Sequence, residues 1–186
     1  MANILEREAT LEDLVGYAGK AELINGRLFP LMPTGDIPSQ AALELALSLK
    51  LYLRAVGLPG IAVGDNAGFQ AALPHRKSFS PDAAYYTGPR AGMGFFPEPP
   101  VFAVEVRSEG DYGPSAEEQM EAKRADYFAA GTLVVWDVDL LSETVIKKFA
   151  APDAHTPVAT FNRNQIAEAE PAVPGWTLDV VALFEA

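Results

Sequence analysis

Cysteine is absent from this 186-residue sequence, and histidine occurs only twice, as His75 and His155. Without cysteine the chain can form no disulfide bond and no cysteine-ligated metal site, and a reducing compartment such as the cytoplasm is favoured. Two histidines argue against a histidine-rich metal centre.

Long apolar runs are also missing, and none approaches the length of a membrane span. A signal peptide is not expected either, because the amino terminus reads MANILEREATLEDL and carries charges throughout. We therefore expect a cytoplasmic protein without a membrane partner.

Basic residues are scarce, with 14 lysines and arginines against 25 acidic residues and a net charge of −11. Because phosphate backbones attract basic surfaces, this balance weighs against strong nonspecific binding of nucleic acid. Two routes to DNA stay open. One is a local basic groove, which a homodimer could build across two subunits, and the other is an acidic site that approaches DNA through a divalent cation.

A chain of this length, 49% of it hydrophobic, can bury one sizeable core, so we expect a single domain over residues 1–186. Turn, capping and periodicity signals predict its elements. In order they are a helix capped by Thr10 and Asp13, a hairpin turning at Asn25-Gly26, a helix over 39–56, weak strands within 61–72, strands over 80–86 and 101–107, a helix from a Ser115/Glu118 capping box to Gly131, strands over 133–138 and 144–149, and a closing element over 180–184.

The unit from Val101 to Asp139 reads strand, helix, strand, which is typical of a parallel crossover. Phe102, Val104 and Val106 should face one side of the sheet and Glu105 the other. The predicted fold class is therefore α/β in the broad sense (mixed α+β), with a central sheet covered by helices on both faces.

Three charged residues stand where apolar side chains are expected. Glu105 lies inside a strand, and Lys123 lies on the inward stripe of the following helix. Asp82 lies at the start of the strand before them. Two carboxylates on neighbouring strands can hold Mg²⁺, and a lysine can orient or deprotonate a water that attacks a phosphate. This set predicts metal-dependent phosphodiester hydrolysis.

A plainer interpretation of the same residues is that Asp82 caps a turn, Glu105 pairs with Arg107, and Lys123 extends its amine from the helix edge into solvent. Spacing alone leaves the two interpretations open. The basic loop His75-Arg76-Lys77 can likewise contact a phosphate backbone, but we expect it to be solvated.

An ordered set of short motifs resembles the Uma2 (DUF820) family of restriction-endonuclease-like proteins, in the PD-(D/E)XK nuclease superfamily. The resemblance covers nearly the whole chain. Its pieces are Thr10-Leu11-Glu12-Asp13, Glu22-Leu23-Ile24-Asn25-Gly26, Ser80-Pro81-Asp82, Val104-Glu105-Val106-Arg107-Ser108, Lys123 with Tyr127 and Ala130-Gly131, Val135-Trp136, and Val173-Pro174-Gly175-Trp176 with Leu183-Phe184.

The resemblance implies a restriction-endonuclease-like core and an endonuclease that hydrolyses DNA with Mg²⁺ or Mn²⁺. Asp82 and Glu105 would be the metal ligands, and Glu22 would support the metal directly or through water. The superfamily lysine commonly lies two residues after the glutamate, where this chain has Arg107, which cannot act as a base at neutral pH. Lys123 would take that role.

Two departures from the family pattern would alter substrate contacts rather than metal ligands. The loop Asp36-Ile37-Pro38-Ser39-Gln40 lacks the histidine that members often carry, and Glu109-Gly110 replaces proline and serine. The competing hypothesis is a catalytically inactive descendant of the fold that serves as a binding or structural module.

Overall fold

The computed structural model describes residues 7–185 as a mixed α and β structure. The elements in chain order are α1 (Leu11–Val15), β1 (Ala21–Ile24), β2 (Arg27–Pro30), α2 (Asp36–Val56), β3 (Ile61–Gly64), β4 (Phe69–Gln70), β5 (Ser78–Phe79), β6 (Ala83–Tyr86), β7 (Phe102–Val106), α3 (Pro114–Ala130), β8 (Val134–Val138), β9 (Thr144–Ala150), β10 (Ala159–Asn162), β11 (Ile166–Glu168), β12 (Thr177–Asp179) and a closing 3₁₀ helix (Val180–Phe184).

A six-stranded sheet forms the centre of the fold, with the strand order β10-β9-β8-β7-β6-β3. β7 and β8 are parallel, with Phe102 opposite Val134, and the other neighbouring pairs of this sheet are antiparallel. The predicted crossover is confirmed, since α3 connects the two parallel strands.

The two faces of the sheet are covered by different helices. On one face, Leu45 and Leu49 of α2 join a core that includes Phe102, Val104 and Trp136. On the other face, Tyr127 of α3 joins a second core cluster. The predicted alternation along β7 is confirmed, and it places Glu105 on the face that α3 covers.

A tight hairpin carries Glu22 to the edge of that second core. Asn25 and Gly26 have φ values of 48° and 65°, as the predicted two-residue turn requires. β1 then docks beside β5, because the Leu23 carbonyl accepts from the Lys77 amide (2.9 Å) and the Leu23 amide donates to the Ser78 hydroxyl (2.9 Å). The hairpin is thereby fixed against the segment that leads to Asp82.

Two predicted helix starts are wrong. α3 begins at Pro114 after Gly113, without a side-chain cap, so Ser115 lies inside the helix and its hydroxyl accepts from Gln119. Proline suits a first helical turn because the amide it lacks would have no partner there. α2 likewise begins at Asp36 rather than at Ser39, with a proline in its first turn.

The carboxyl-terminal part contains strands that the sequence patterns did not predict. β10 extends the main sheet, and β11 pairs with β12, with Ala167 opposite Leu178. These strands are three or four residues long, so their alternation of exposed and covered positions is too brief to predict a strand. The closing element is a 3₁₀ helix that Asp179 caps. Within residues 7–185, no helix combines the length and apolar character needed to cross a membrane.

Candidate functional site

Asp82, the residue just before β6, is the neighbour of Glu105 on the antiparallel strand β7. Ala83 pairs with Val104, and the Asp82 amide donates to the Val104 carbonyl (3.0 Å), so the next position in register sets Asp82 opposite Glu105. Both side chains point to the face that α3 covers, and residues directly opposite have Cβ atoms about 5 Å apart. The structure therefore brings these two predicted metal ligands together.

Glu105 is held by two side chains of α3. Lys123 Nζ donates to Glu105 Oε2 (2.7 Å), and the Tyr127 hydroxyl donates to Glu105 Oε1 (2.7 Å). Lys123 and Tyr127 are one helical turn apart, so they reach the same carboxylate from one face of the helix. The Tyr127 ring is stacked on Phe79, with centroids 4.1 Å apart, which fixes the hydroxyl in place.

Glu22 reaches the same ammonium group from the hairpin. Its Oε1 lies 3.1 Å from Lys123 Nζ and accepts from the Ser80 amide (3.0 Å). Its Oε2 accepts from Arg76 (2.5 Å). Glu22 is 3% exposed, so these donors replace the water that the carboxylate loses on folding.

Arg76 is a buried member of this network, which corrects the expectation of a solvated basic loop. Its Nε donates to Asp126 (2.6 Å) while its terminal nitrogen holds Glu22. His75 contacts the other oxygen of Asp126 (2.7 Å). A basic residue next to a turn carries no sequence signal for burial, since its partners lie about 50 positions away in either direction.

Lys20 brings a second ammonium group to Asp82. Its Nζ lies 3.4 Å from Asp82 Oδ1 and forms a closer ion pair with Asp65. Asp82 Oδ2 accepts from the Val106 amide (2.8 Å). Sequence reasoning missed Lys20 because it lies in a loop with no periodic pattern, although its position two residues before Glu22 was available as a signal.

Burial and neighbouring charges shift the ionisation of these groups in different directions. Burial raises the pKa of Glu105 to about 7, against the opposing charge of Lys123 and with help from Asp82 and Glu22. Burial also raises the pKa of Asp82. For Glu22 the charges of Lys123 and Arg76 outweigh burial, and its pKa is lowered.

Lys123 is the positive centre of the cluster. Burial alone would lower its pKa, but the charges of Glu105 and Glu22 outweigh that effect and raise the pKa above its usual value. The amine is therefore protonated at neutral pH. In this state it can donate hydrogen bonds and stabilise negative charge, but it cannot accept a proton.

The donor set suits a hard divalent cation. Mg²⁺ is typically bound by one or two carboxylates and keeps several waters, and Asp82 with Glu105 provides such a pair of oxygen ligands. Within the part of the chain that the structure describes, no cluster of three or more His, Cys, Asp or Glu is spaced to hold a metal ion. Any cation here would rely on two carboxylates and on water.

Arg107, at the superfamily lysine position, belongs to a separate network. Its guanidinium donates to both oxygens of buried Asp137 (2.7 Å each) and also pairs with Glu117. Arg124 approaches the same Asp137 (3.3 Å). The plainer interpretation that Glu105 pairs with Arg107 is therefore wrong, because the partner of Glu105 is Lys123.

The fold and the site define the class of protein. A mixed sheet with a parallel strand–helix–strand unit, one acid on β7, another just before β6 and a lysine on the crossover helix form a nuclease-like fold. A solved structure from Anabaena variabilis, described as "a putative nuclease belonging to DUF820", matches with a TM-score of 0.71 and 17% identity. The match covers 94% of this chain and 97% of that chain, and at this identity it shows the fold alone.

The sequence match is more specific than the fold. The family model Uma2, described as "Putative restriction endonuclease", matches residues 9–181, so the chain belongs to the Uma2 family. No curated protein sequence matches the chain.

Proposed function

We propose that this Uma2 protein is a metal-dependent endonuclease that hydrolyses phosphodiester bonds of DNA with Mg²⁺ or Mn²⁺. The observation that carries the proposal is the pair of Asp82, just before β6, and Glu105, on β7, which lie side by side with Lys123 bonded to Glu105. Carboxylates, a divalent cation and a nearby cationic donor are the groups that hydrolysis of a phosphodiester needs.

The charge of the cluster supports a divalent cation. Besides His75, the ion-paired network contains five carboxylates and three basic side chains. The carboxylates are Glu22, Asp65, Asp82, Glu105 and Asp126, and the basic groups are Lys20, Arg76 and Lys123. With all groups ionised, the excess of two negative charges equals the charge that one Mg²⁺ ion neutralises.

Each residue has a distinct part in the proposed reaction. Asp82 and Glu105 hold the cation, which would neutralise charge that develops on the phosphate. Lys123, being protonated, orients the attacking water by donating a hydrogen bond and does not take its proton; that proton would pass to the solvent, and the phosphorus–oxygen bond to the leaving group would break. Glu22 keeps Lys123 charged and in place, and Tyr127 fixes the rotamer of Glu105.

The test is a nicking assay on supercoiled plasmid with wild type and Glu105→Gln, in Mg²⁺, in Mn²⁺ and in EDTA. We expect nicking by the wild type only when metal is present, and a loss of at least about a hundredfold in the variant, as for removal of other groups that stabilise charge in a transition state. Glu143→Gln is the matched control, because Glu143 is an exposed acid in the turn before β9. Nicking that is equal in wild type and Glu105→Gln would contradict the proposal.

Metal binding has a direct readout as well. A crystal soaked in Mn²⁺ should give an anomalous peak between the carboxylates of Asp82 and Glu105. A peak elsewhere, with no density between these two residues, would contradict the assigned ligands even if the protein cleaves DNA.

The alternative is an inactive nuclease-fold module, and one observation favours it. Glu22, Asp82 and Glu105 all accept from side chains of the protein, so the network is satisfied without metal. Nicking at background level in every variant, together with no Mn²⁺ peak, would support this module. The predicted homodimer, with a basic groove across two subunits, stays a prediction in either case.

A further inference from the structure

The two lysines of the site are about equally exposed, at 17% for Lys20 and 18% for Lys123, but they pair with different carboxylates. Lys123 is bonded to Glu22 and Glu105, whose side chains are 4% and 14% exposed. Lys20 lies between Asp82, which is 15% exposed, and Asp65, which is 44% exposed. Lys20 thus connects Asp82 to an acid exposed at the surface, Asp65, whereas both partners of Lys123 are largely covered.

A DNA strand would reach Asp82 and Glu105 from the solvent side, where their side chains are 15% and 14% exposed. On that side the ammonium of Lys20 is the positive group closest to Asp82, at 3.4 Å. Phosphate oxygens and lysine ammonium groups form strong, charge-assisted hydrogen bonds. The position of Lys20 therefore matches that of a group that meets the phosphate next to the metal ligands.

Asp65 provides the means for Lys20 to exchange partners. Its carboxylate pairs with Lys20 and its Oδ1 also accepts from the Asn66 amide (2.7 Å), in the turn that follows β3. Lysine has a long, flexible side chain, so the ammonium can leave the distant Asp82 oxygen while it keeps the bond to Asp65. Such a movement would open Asp82 to a cation and turn the ammonium toward the incoming phosphate.

We propose that Lys20 is a further catalytic residue of this site, whose ammonium group contacts the scissile phosphate while Asp65 anchors it. The inference rests on the proposed endonuclease function and adds a substrate contact to it. Lys20 is then the cation that binds the DNA, and Lys123 is the cation that orients the water. The two lysines pair with different acids of the site, Lys20 with Asp82 and Asp65 and Lys123 with Glu105 and Glu22.

The experiment measures the affinity for a short DNA duplex by fluorescence anisotropy across a salt series, with Ca²⁺ in place of Mg²⁺. Lys20→Met should weaken binding and reduce the slope of log K against log salt by about one, the effect of losing one phosphate contact. Lys20→Arg, which keeps the positive charge, should have the same slope of log K against log salt as the wild type. Lys50→Met is the matched control, since Lys50 is exposed on α2 across the sheet and its loss removes the same charge.

A structural role for Lys20 predicts a different result. If Lys20 only neutralises Asp82, Lys20→Met lowers the thermal midpoint and leaves the salt slope unchanged, and this outcome overturns the inference. A fall in slope that Lys50→Met reproduces would also overturn it, because the effect would then be one of net charge.

A second variant separates the contact from folding. Asp65→Asn removes the anchor and keeps Lys20, so we expect weaker DNA binding and a smaller salt slope than in the wild type; binding as tight as or tighter than that of the wild type would contradict the anchoring role. Failure of the inference differs from failure of the proposed function. In the first case the wild type cleaves plasmid and Lys20→Met does so equally well, and in the second the wild type does not cleave at all.

Discussion

The ammonium group of Lys123, on the crossover helix α3, lies 2.7 Å from Oε2 of Glu105, on the strand that precedes this helix. The two residues are 18 positions apart, and the parallel connection is what brings them together. The same ammonium lies 3.1 Å from Glu22 of the hairpin. Lys123 therefore connects α3 both to the central sheet and to the β1–β2 hairpin. Its removal should lower the stability of the fold and the rate of DNA cleavage together.

Lys123→Met should be strongly destabilising. It leaves Glu22 and Glu105 buried without their shared counter-charge, and breaking a buried pair costs about 3 kcal/mol or more. The double variant Lys123→Met/Glu105→Gln should recover part of this loss, because it removes a carboxylate along with the lysine. Urea denaturation of the wild type, the two single variants and the double variant gives the coupling energy between Lys123 and Glu105. A coupling energy near zero would contradict the shared ion pair.

The stability of the metal-free protein should decrease between about pH 5 and pH 7. Burial raises the pKa of Glu105 to about 7 in the folded state, whereas the unfolded group titrates near 4.5, so the folded protein holds its proton more tightly. The contribution of Glu105 to the free energy of unfolding is fully present below the pKa of the unfolded group and is lost as the pH rises through 7. Denaturation in EDTA at pH 5 and pH 8 measures it, and Glu105→Gln should lack this component of the pH dependence.

Tyr127→Phe should weaken the hold on Glu105 without disturbing the core. The ring stays stacked on Phe79, but the hydroxyl that donates to Glu105 Oε1 is lost. The expected cost is about 1.5 kcal/mol, as for a hydrogen bond to a charged group. Nicking should slow because Glu105 is free to change its rotamer. Thermal denaturation and the cleavage rate test both effects, and an unchanged rate would show that Tyr127 is only structural.

A lysine at position 107 should not replace Lys123. Arg107 points to Asp137 and Glu117 rather than to Glu105, so the amine in Arg107→Lys would stay near those acids. The double variant Arg107→Lys/Lys123→Met should therefore remain inactive in the nicking assay. Recovery of activity would show that the superfamily position is functional in this chain.

Arg107→Ala should destabilise the protein while it spares metal binding. It leaves Asp137, which is 2% exposed, with Arg124 as its remaining basic partner at 3.3 Å. The loss should be about 3 kcal/mol, since an uncompensated buried charge results. Mn²⁺ affinity measured by calorimetry below the melting temperature should equal that of the wild type. A large drop in affinity would place Arg107 in the metal site after all.

Local chemistry made several features predictable from the sequence. Asn25-Gly26 determined the hairpin because both residues accept positive φ, and Gly131 ended α3 for the same reason. Alternation along β7 placed Glu105 on the opposite face from Val104. The helical stripe through Lys123 and Tyr127 predicted which side of α3 is inward.

Features that depend on residues distant in the sequence could not be predicted from local patterns. The start of α3 was misplaced for a local reason. Ser115 and Glu118 match a capping pattern, but the helix begins one residue earlier, at Pro114. β10, β11 and β12 are too short for a clear alternation. Their pairing depends on the neighbouring strands, β9 for β10 and each other for β11 and β12. The sequence also suggested Arg107 as the partner of Glu105, two residues away on the same strand, whereas the structure pairs it with Asp137.

By itself, then, the sequence determined the order of the main elements and singled out Asp82, Glu105 and Lys123 as charges in unusual positions, because propensity, turn chemistry and periodicity act within a few residues. Only the tertiary structure decided that Arg76 is buried against Glu22, 54 positions away, and that Lys20 approaches Asp82, 62 positions away. An ion pair forms wherever the fold brings opposite charges together, and a charged residue in a loop carries no local sign of the partner it will meet.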